Sequence, residues 1–168
     1  WAEYDTTGYN TEFTYIVCTP SKTGSGAALT ATFTGDTEGS DNWEEICAVD
    51  PEGTADAATN YPIFNFANTY GTTAGLTGTD YENGWYVPSI AELCEVYKSK
   101  DVIQTSLTKA SGFEFDDGYH YMSSSQSDWF TRMYRVTFGD RYGYNERGYV
   151  TETSKDNDCD VLVLHALT

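Results

Sequence analysis

The chain has 168 residues and carries 26 Asp and Glu against nine Lys and Arg, which gives a formal net charge of −17 at pH 7. This length suits one domain with an ordinary core, and this charge excludes sequence-independent binding of DNA or RNA as a main role. Aromatic residues make up 15% of the chain, which argues against disorder, and no apolar stretch is long enough to span a bilayer. We therefore predict a single domain over 1–168 with no membrane span.

Residues 1–59 form the first part of the predicted domain and are expected to hold strands and loops. Two runs rich in β-branched and aromatic residues, 12–17 and 28–34, predict strands. An acidic loop is expected between Gly35 and Asp50. The chain begins at Trp1 without a basic and apolar leader, so we expect a mature or excised part of a longer protein.

Residues 60–118 form the second part and predict two helices. The first helix covers 60–71, with Pro62 in its first turn and Gly71 as its stop. The second follows Ser89, a natural N-cap that forms a capping box with Glu92. Helical spacing gives each an apolar face, made of Ile63, Phe66, Ala67 and Tyr70 in the first and of Ile90, Leu93, Cys94 and Tyr97 in the second.

Residues 119–168 form the third part and return to strands. Alternation over 133–138 predicts that Tyr134, Val136 and Phe138 face the core, whereas Met133, Arg135 and Thr137 face away from it. The apolar run 161–167 predicts a strand buried on both faces, and 139–160 predicts an exposed hairpin or long loops. The order strands, helices, strands predicts an α+β fold, with two helices packed on a small twisted antiparallel sheet.

Three segments in this order resemble one family. Residues 84–93 (Gly-Trp-Tyr-Val-Pro-Ser-Ile-Ala-Glu-Leu) resemble the helix signature of C-type-lectin-like domains of the sulfatase-modifying, or formylglycine-generating, type. Residues 121–126 (Tyr-Met-Ser-Ser-Ser-Gln) resemble the strand that follows in many bacterial members, and 134–139 with 161–167 resemble the last strands. The likeness covers residues 60–168 and implies a C-type-lectin-like fold with long irregular loops.

The resemblance implies two functional lineages. One is an oxidase that makes formylglycine with copper held by a pair of cysteines. The other comprises the variable ligand-binding proteins of diversity-generating retroelements and their bacterial surface paralogues, in which adenine-templated mutagenesis changes exposed residues near the end of a fixed scaffold. The Thr-, Gly- and Tyr-rich composition and the Tyr-x-Ser-Ser-Ser-Gln segment are most similar to the second lineage.

No residue set in the sequence predicts catalysis. Cys94 and Cys159 lie in no motif that matches the oxidase, and His120 and His165 are isolated. We expect His165 to be a hydrogen-bonded core residue, and we predict no enzyme and no cofactor. The four cysteines, which include Cys18 and Cys47, contain no CxxC pair, and two disulfides or four buried thiols fit this spacing equally well.

The acidic loop contains oxygen ligands of the kind that Ca²⁺ prefers. Their spacing does not fit an EF-hand, and a solvated loop explains them as well, so we predict no metal site. These residues are Asp36, Glu38, Asp41, Asn42 and Glu44.

The arginines predict a binding surface. All four fall within residues 132–147, a window of net charge +2, whereas the rest of the chain has a net charge of −19. Tyr, Trp and Arg are the residues that anchor protein interfaces, and they alternate in and around this window. The alternative is that the arginines balance local carboxylates. The predicted ligand-binding residues are Asp128, Trp129, Phe130, Arg132, Met133, Arg135, Thr137, Asp140, Arg141, Tyr142, Tyr144, Asn145 and Arg147.

These observations predict a non-catalytic, receptor- or adhesin-like protein that displays a variable surface diversified by a retroelement. The expected partner is a protein or another macromolecule, not a nucleic acid. We expect a location outside the cell or on its surface, with a lipid anchor in a preceding segment as one arrangement, or display on a phage. A fixed structural or adhesin module of a bacterial surface protein is the alternative, and an oxidase of the formylglycine-generating type is a distant third.

Overall fold

A computed structural model describes the backbone of residues 2–5 and, in full, residues 37–110, 115, 120–127, 132–139, 148–155, 157 and 160–166. The strands predicted at 12–17 and 28–34 lie outside these residues. The described helices are α1 Asn42–Val49, α2 Pro51–Thr54, α3 Ala57–Asn60, α4 Pro62–Thr73, α5 Ile90–Lys98 and α6 Lys100–Lys109. The described strands are β1 Ala2–Asp5, β2 Trp85–Tyr86, β3 His120–Gln126, β4 Arg132–Thr137, β5 Val150–Ser154 and β6 Asp160–His165. The predicted α+β class is confirmed.

The strands form a sheet in the order β1-β6-β3-β4-β5, and β2 pairs with the far end of β6. All of these pairs are antiparallel except β3 with β6, which is parallel, so the prediction of a purely antiparallel sheet is wrong at this pair. The Ser124 N–H donates to the Pro88 carbonyl oxygen at 2.7 Å. The segment after β2 therefore lies beside β3.

Strand β6 is buried on both faces, as its continuous apolar run predicted. Val161 and Val163 belong to core A, whereas Leu162 between them belongs to core B. Core A is built on one face of the sheet by Ile46, Tyr61, Ile63, Phe64, Ala67, Val87, Met122, Met133, Val161 and Val163. Core B is built on the other face by Leu93, Val96, Tyr121, Val136, Phe138 and Leu162.

The predicted orientation of β4 is wrong in part. Its side chains alternate, and Val136 and Phe138 are buried in core B as expected. Met133 and Thr137, which were expected to face away from the core, are also buried, with 0% and 2% of their surface exposed. The reason is that apolar side chains cover both faces of the sheet, so Met133 packs in core A.

The two predicted helices correspond to α4 and α5. The capping box of Ser89 and Glu92 is present at the start of α5. Helix α4 continues past Gly71 to Thr73, so Gly71 is not its stop. A Cβ at Gly71 would collide with the Glu82 carbonyl oxygen, which shows that this glycine permits a close approach of the following loop.

Helices α1, α2, α3 and α6 were not predicted, so the expectation of two helices is wrong. Helix α1 lies in the segment expected to be an acidic loop, and its Ile46 is fully buried in core A. Helix α6 has no fully buried residue and contacts core B through Ile103.

Candidate functional site

Four of the thirteen predicted ligand-binding residues lie on the described strand β4. They are Arg132, Met133, Arg135 and Thr137. The other nine, in 128–130 and 140–147, lie outside the described residues. Met133 and Thr137 are buried and present no surface to a ligand, which corrects their assignment to the binding surface.

Arg132 lies near the edge of the sheet on the face that carries core B. It pairs in register with Ser154 of β5, and its neighbours along this face are Tyr134 and Glu152. The Arg132 Nη1 atom is 3.7 Å from Glu152 Oε2, and the Arg132 side chain is 50% exposed. An ion pair this long and this open to water contributes little to stability.

Arg135 lies on the opposite face of the sheet. It pairs in register with Thr151, and its Nε donates a hydrogen bond to Thr151 Oγ1 at 3.1 Å. Its side chain is half-buried, between Met133 and Thr137 along the strand. The two described arginines therefore do not share one face, which corrects the expectation of a single arginine-bearing face on β4.

Strand β5 lies at the end of the sheet and exposes apolar surface there. Val150 is 46% exposed and lies on the face of Arg132, where it pairs with Val136. We call Arg132, Tyr134, Val150 and Glu152 the edge surface. It combines an arginine, a half-buried tyrosine and an exposed apolar side chain at an edge strand.

The histidines and the described cysteines have structural surroundings. His120 Nδ1 lies 3.0 Å from Thr137 Oγ1. His165 Nε2 donates to the Asn83 carbonyl oxygen at 2.9 Å, and its ring contacts Tyr81 and Trp85 edge-on. His165 is thus half-buried and hydrogen-bonded, close to its predicted role, although its buried Nδ1 has no hydrogen-bond partner among the described residues.

Cys47 and Cys94 are free thiols on opposite sides of the sheet. Cys47 follows Ile46 of core A on α1, whereas Cys94 packs against core B, where burial raises the pKa of its thiol. These two sulfurs therefore do not form a copper pair. Cys18 and Cys159 lie outside the described residues.

The acidic segment does not assemble a metal site in the part of the chain that the structure describes. No group of three or more His, Cys, Asp and Glu there is placed to hold an ion. Asn42, one of the considered ligands, is buried and donates through Nδ2 to Ser124 Oγ at 2.7 Å. Asp36 lies outside the described residues.

A cavity of 280 Å³ that the sequence did not predict lies between α1, α4 and β2. Trp43 and Phe64 stack with their ring centroids 5.8 Å apart on one side of its lining, and Trp85 and Tyr86 contribute further aromatic surface. Glu44 is its lining carboxylate. The sequence does show aromatic and acidic residues in the segments that line this cavity. Nothing in the sequence indicates that these segments meet.

Hydrogen bonds to the Glu92 carboxylate connect segments that line this cavity. Its Oε2 accepts hydrogen bonds from the Gly39 and Ser89 N–H groups, both at 2.9 Å, and its Oε1 accepts from Tyr86 Oη at 2.8 Å. Burial and then the bond to Glu92 raise the pKa of Tyr86 well above its usual range. A Cβ at Gly39 would lie 2.5 Å from the Val87 carbonyl oxygen, so the two segments meet backbone to backbone.

No protein-family model matches the chain, and no curated protein or solved structure matches it either. Within the described ranges, none of the helices has the length and apolar character needed to cross a membrane.

Proposed function

We propose that the chain is a non-catalytic binding domain of the C-type-lectin-like kind, which contacts a protein or another macromolecule through the edge surface and the adjoining segments 128–131 and 140–147. The observation that carries this proposal is the half-exposed Arg132, which lies on the same face of the edge strands as the exposed Val150. The planar guanidinium of arginine offers several N–H donors to a partner. Burial of the apolar surface next to it makes the free energy of binding more favourable.

The distribution of charge supports the same surface. Residues 132–155 contain five Lys and Arg against three Asp and Glu, in a chain whose total charge is −17. A small basic region favours partners with acidic patches, and the net charge of −17 opposes self-association. We expect carboxylates or aromatic rings on the partner to meet Arg132.

Retroelement diversification of this region belongs to the same proposal. The test is the coding DNA, because template-directed mutagenesis leaves a near-copy of the 3′ end that differs at adenines, with a reverse transcriptase gene beside it. Finding both supports diversification. A locus with neither contradicts it and leaves a binding domain of fixed sequence.

Binding itself is tested by substitution at Arg132. The immobilised domain is exposed to an extract of cell-surface proteins, and the captured proteins are compared between wild type, Arg132→Ala and the matched control Lys109→Ala, which removes an exposed cation from the end of α6. We expect at least one captured protein to be lost with Arg132→Ala and kept with Lys109→Ala. If all three capture the same set, the edge surface does not bind, and a fixed structural module is the better proposal.

A further inference from the structure

The cavity beside β2 has the walls of a site for an organic cation. Trp43, Phe64, Trp85 and Tyr86 supply four aromatic side chains to a lining of twelve residues. The faces of aromatic rings carry negative electrostatic potential and attract cations, most strongly when water is partly excluded. Trp85 Nε1 donates to the Tyr81 carbonyl oxygen at 2.8 Å, which fixes the orientation of one indole.

The charged side chains that the described part of the chain places beside the cavity are acidic. Glu44 is in the lining, Glu38 is close enough to raise the pKa of Tyr86, and Glu92 lies directly behind Tyr86. None of the lining residues is basic. The sequence contains no Lys or Arg at any position in 37–97, so no side chain of this segment competes with a bound cation for these carboxylates.

The site is also preorganised. The Glu92 bonds to the Gly39 N–H and to Tyr86 Oη tie together two lining residues from different segments. Trp43 is held by contacts with Phe64 and with the buried ring of Tyr61, whose centroid is 5.6 Å away. Because these groups are already ordered, a ligand loses little binding energy to their ordering.

We propose that this cavity binds a small organic cation with a quaternary or alkylated ammonium group, held by the faces of Trp43 and Trp85 and by the Glu44 carboxylate. Glu44 is exposed at the first turn of α1, so it supplies charge at the mouth of the cavity while the aromatic rings form its walls. This site lies apart from the edge surface, since its lining comes from α1, α4 and the region of β2.

The test uses choline and its neutral isostere 3,3-dimethyl-1-butanol, which share a shape and differ in charge. Binding is followed through the indole N–H resonances of Trp43 and Trp85, assigned with Trp43→Phe and Trp85→Phe. We expect saturable shifts of both resonances with choline and affinity about tenfold lower for the neutral isostere, as the loss of the cation–π and ionic contacts predicts.

Glu44→Gln and Glu45→Gln form the matched pair of variants, because both residues are exposed on α1 but only Glu44 lines the cavity. We expect Glu44→Gln to weaken choline binding about threefold to fivefold, as for a partly exposed ion pair, and Glu45→Gln to leave it unchanged. The proposal is overturned if choline gives no saturable shift, if the neutral isostere binds equally well, or if the two variants behave alike.

Discussion

The acidic region 37–97 and the basic region 132–155 differ in net charge, but in both of them charged side chains form hydrogen bonds with neutral groups. The first holds eleven Asp and Glu and no Lys or Arg, and the second holds five Lys and Arg against three Asp and Glu. Several described charged side chains in each region form hydrogen bonds with neutral groups. The two regions differ in which neutral groups bond to their charged side chains.

In the acidic region the compensating groups are backbone N–H donors. Asp50 accepts from the Gly53 N–H at 3.0 Å, and Asp56 accepts from the Thr59 N–H, each at the start of a short helix. Glu92 accepts from two backbone donors and a phenol. Helix N-termini carry unsatisfied donors and favour negative charge, which stabilises these carboxylates in an acid-rich segment.

In the basic region the compensating groups are side-chain oxygens. Arg135 donates to Thr151, and the buried Lys155 donates to Gln126 Oε1 at 2.6 Å. Arg132 also forms an ion pair with Glu152, in which the Nη1 and Oε2 atoms are 3.7 Å apart. Carboxylates such as Glu92 thus connect segments of the scaffold, whereas Arg132 is half exposed at the surface.

The largest expected effect comes from Glu92→Ala. It removes three hydrogen bonds to a charged acceptor and releases the Gly39 segment from α5, so we expect the free energy of unfolding to fall by about 3 kcal/mol. Urea unfolding measures this as a lower midpoint at unchanged slope. The control is Glu95→Ala, because the Glu95 side chain is 70% exposed, and we expect a change below about 0.5 kcal/mol. Equal effects would mean that the cap carries no special stability.

The second largest effect on stability is expected for Lys155→Met in the basic region. Lys155 is 1% exposed, and its loss removes a charged donor from the buried amide of Gln126. We expect the free energy of unfolding to fall by about 2 kcal/mol, the cost of an interrupted buried bond. Lys109→Met, on the exposed end of α6, serves as the control in the same unfolding experiment. A Lys155→Met protein as stable as wild type would show that desolvation of the ammonium cancels its hydrogen bonding.

A smaller effect appears in the pH dependence of stability through Tyr86. Burial and the bond to Glu92 raise its pKa in the folded state, so its stabilising contribution is complete below the unfolded pKa near 10 and is lost as the pH rises through the folded value. We expect the free energy of unfolding to decline above pH 10, and Tyr86→Phe to make that decline shallower. Burial also raises the pKa of Tyr70, so a residual slope remains in the variant. Identical slopes in urea titrations from pH 9 to 11 would contradict this assignment.

The features of the fold that depend on residues close together in the chain could be predicted from the sequence. The capping box of Ser89 and Glu92 depends on residues three apart, and the doubly buried β6 depends on one apolar run. Alternation correctly separated the two faces of β4, but it identifies only which side chains share a face. It carries no information on whether the opposite face is covered, which is why Met133 and Thr137 were assigned to the surface.

The sites themselves depend on contacts far apart in sequence. Glu92 was predicted to cap α5, but its bond to Gly39 spans 53 positions. The cavity joins α1, α4 and β2, and nothing in their separate sequences sets their distance. Helix α1 was also missed, because the acid-rich segment that contains its start has the composition of a solvated loop, although Ile46 packs in core A.

The smallest effect on stability is expected for substitution of Arg132 in the basic region. Its ion pair with Glu152 is 3.7 Å long and half exposed, so Arg132→Ala should change the free energy of unfolding by less than about 0.5 kcal/mol. Glu152→Gln, measured by the same urea unfolding, should give an equally small change. A loss above about 1 kcal/mol in either variant would make the pair part of the scaffold, as in a surface whose arginines only balance local carboxylates. If Arg132→Ala abolishes partner capture but leaves the free energy of unfolding almost unchanged, Arg132 acts in binding and not in folding. A binding surface on a fixed scaffold requires this result.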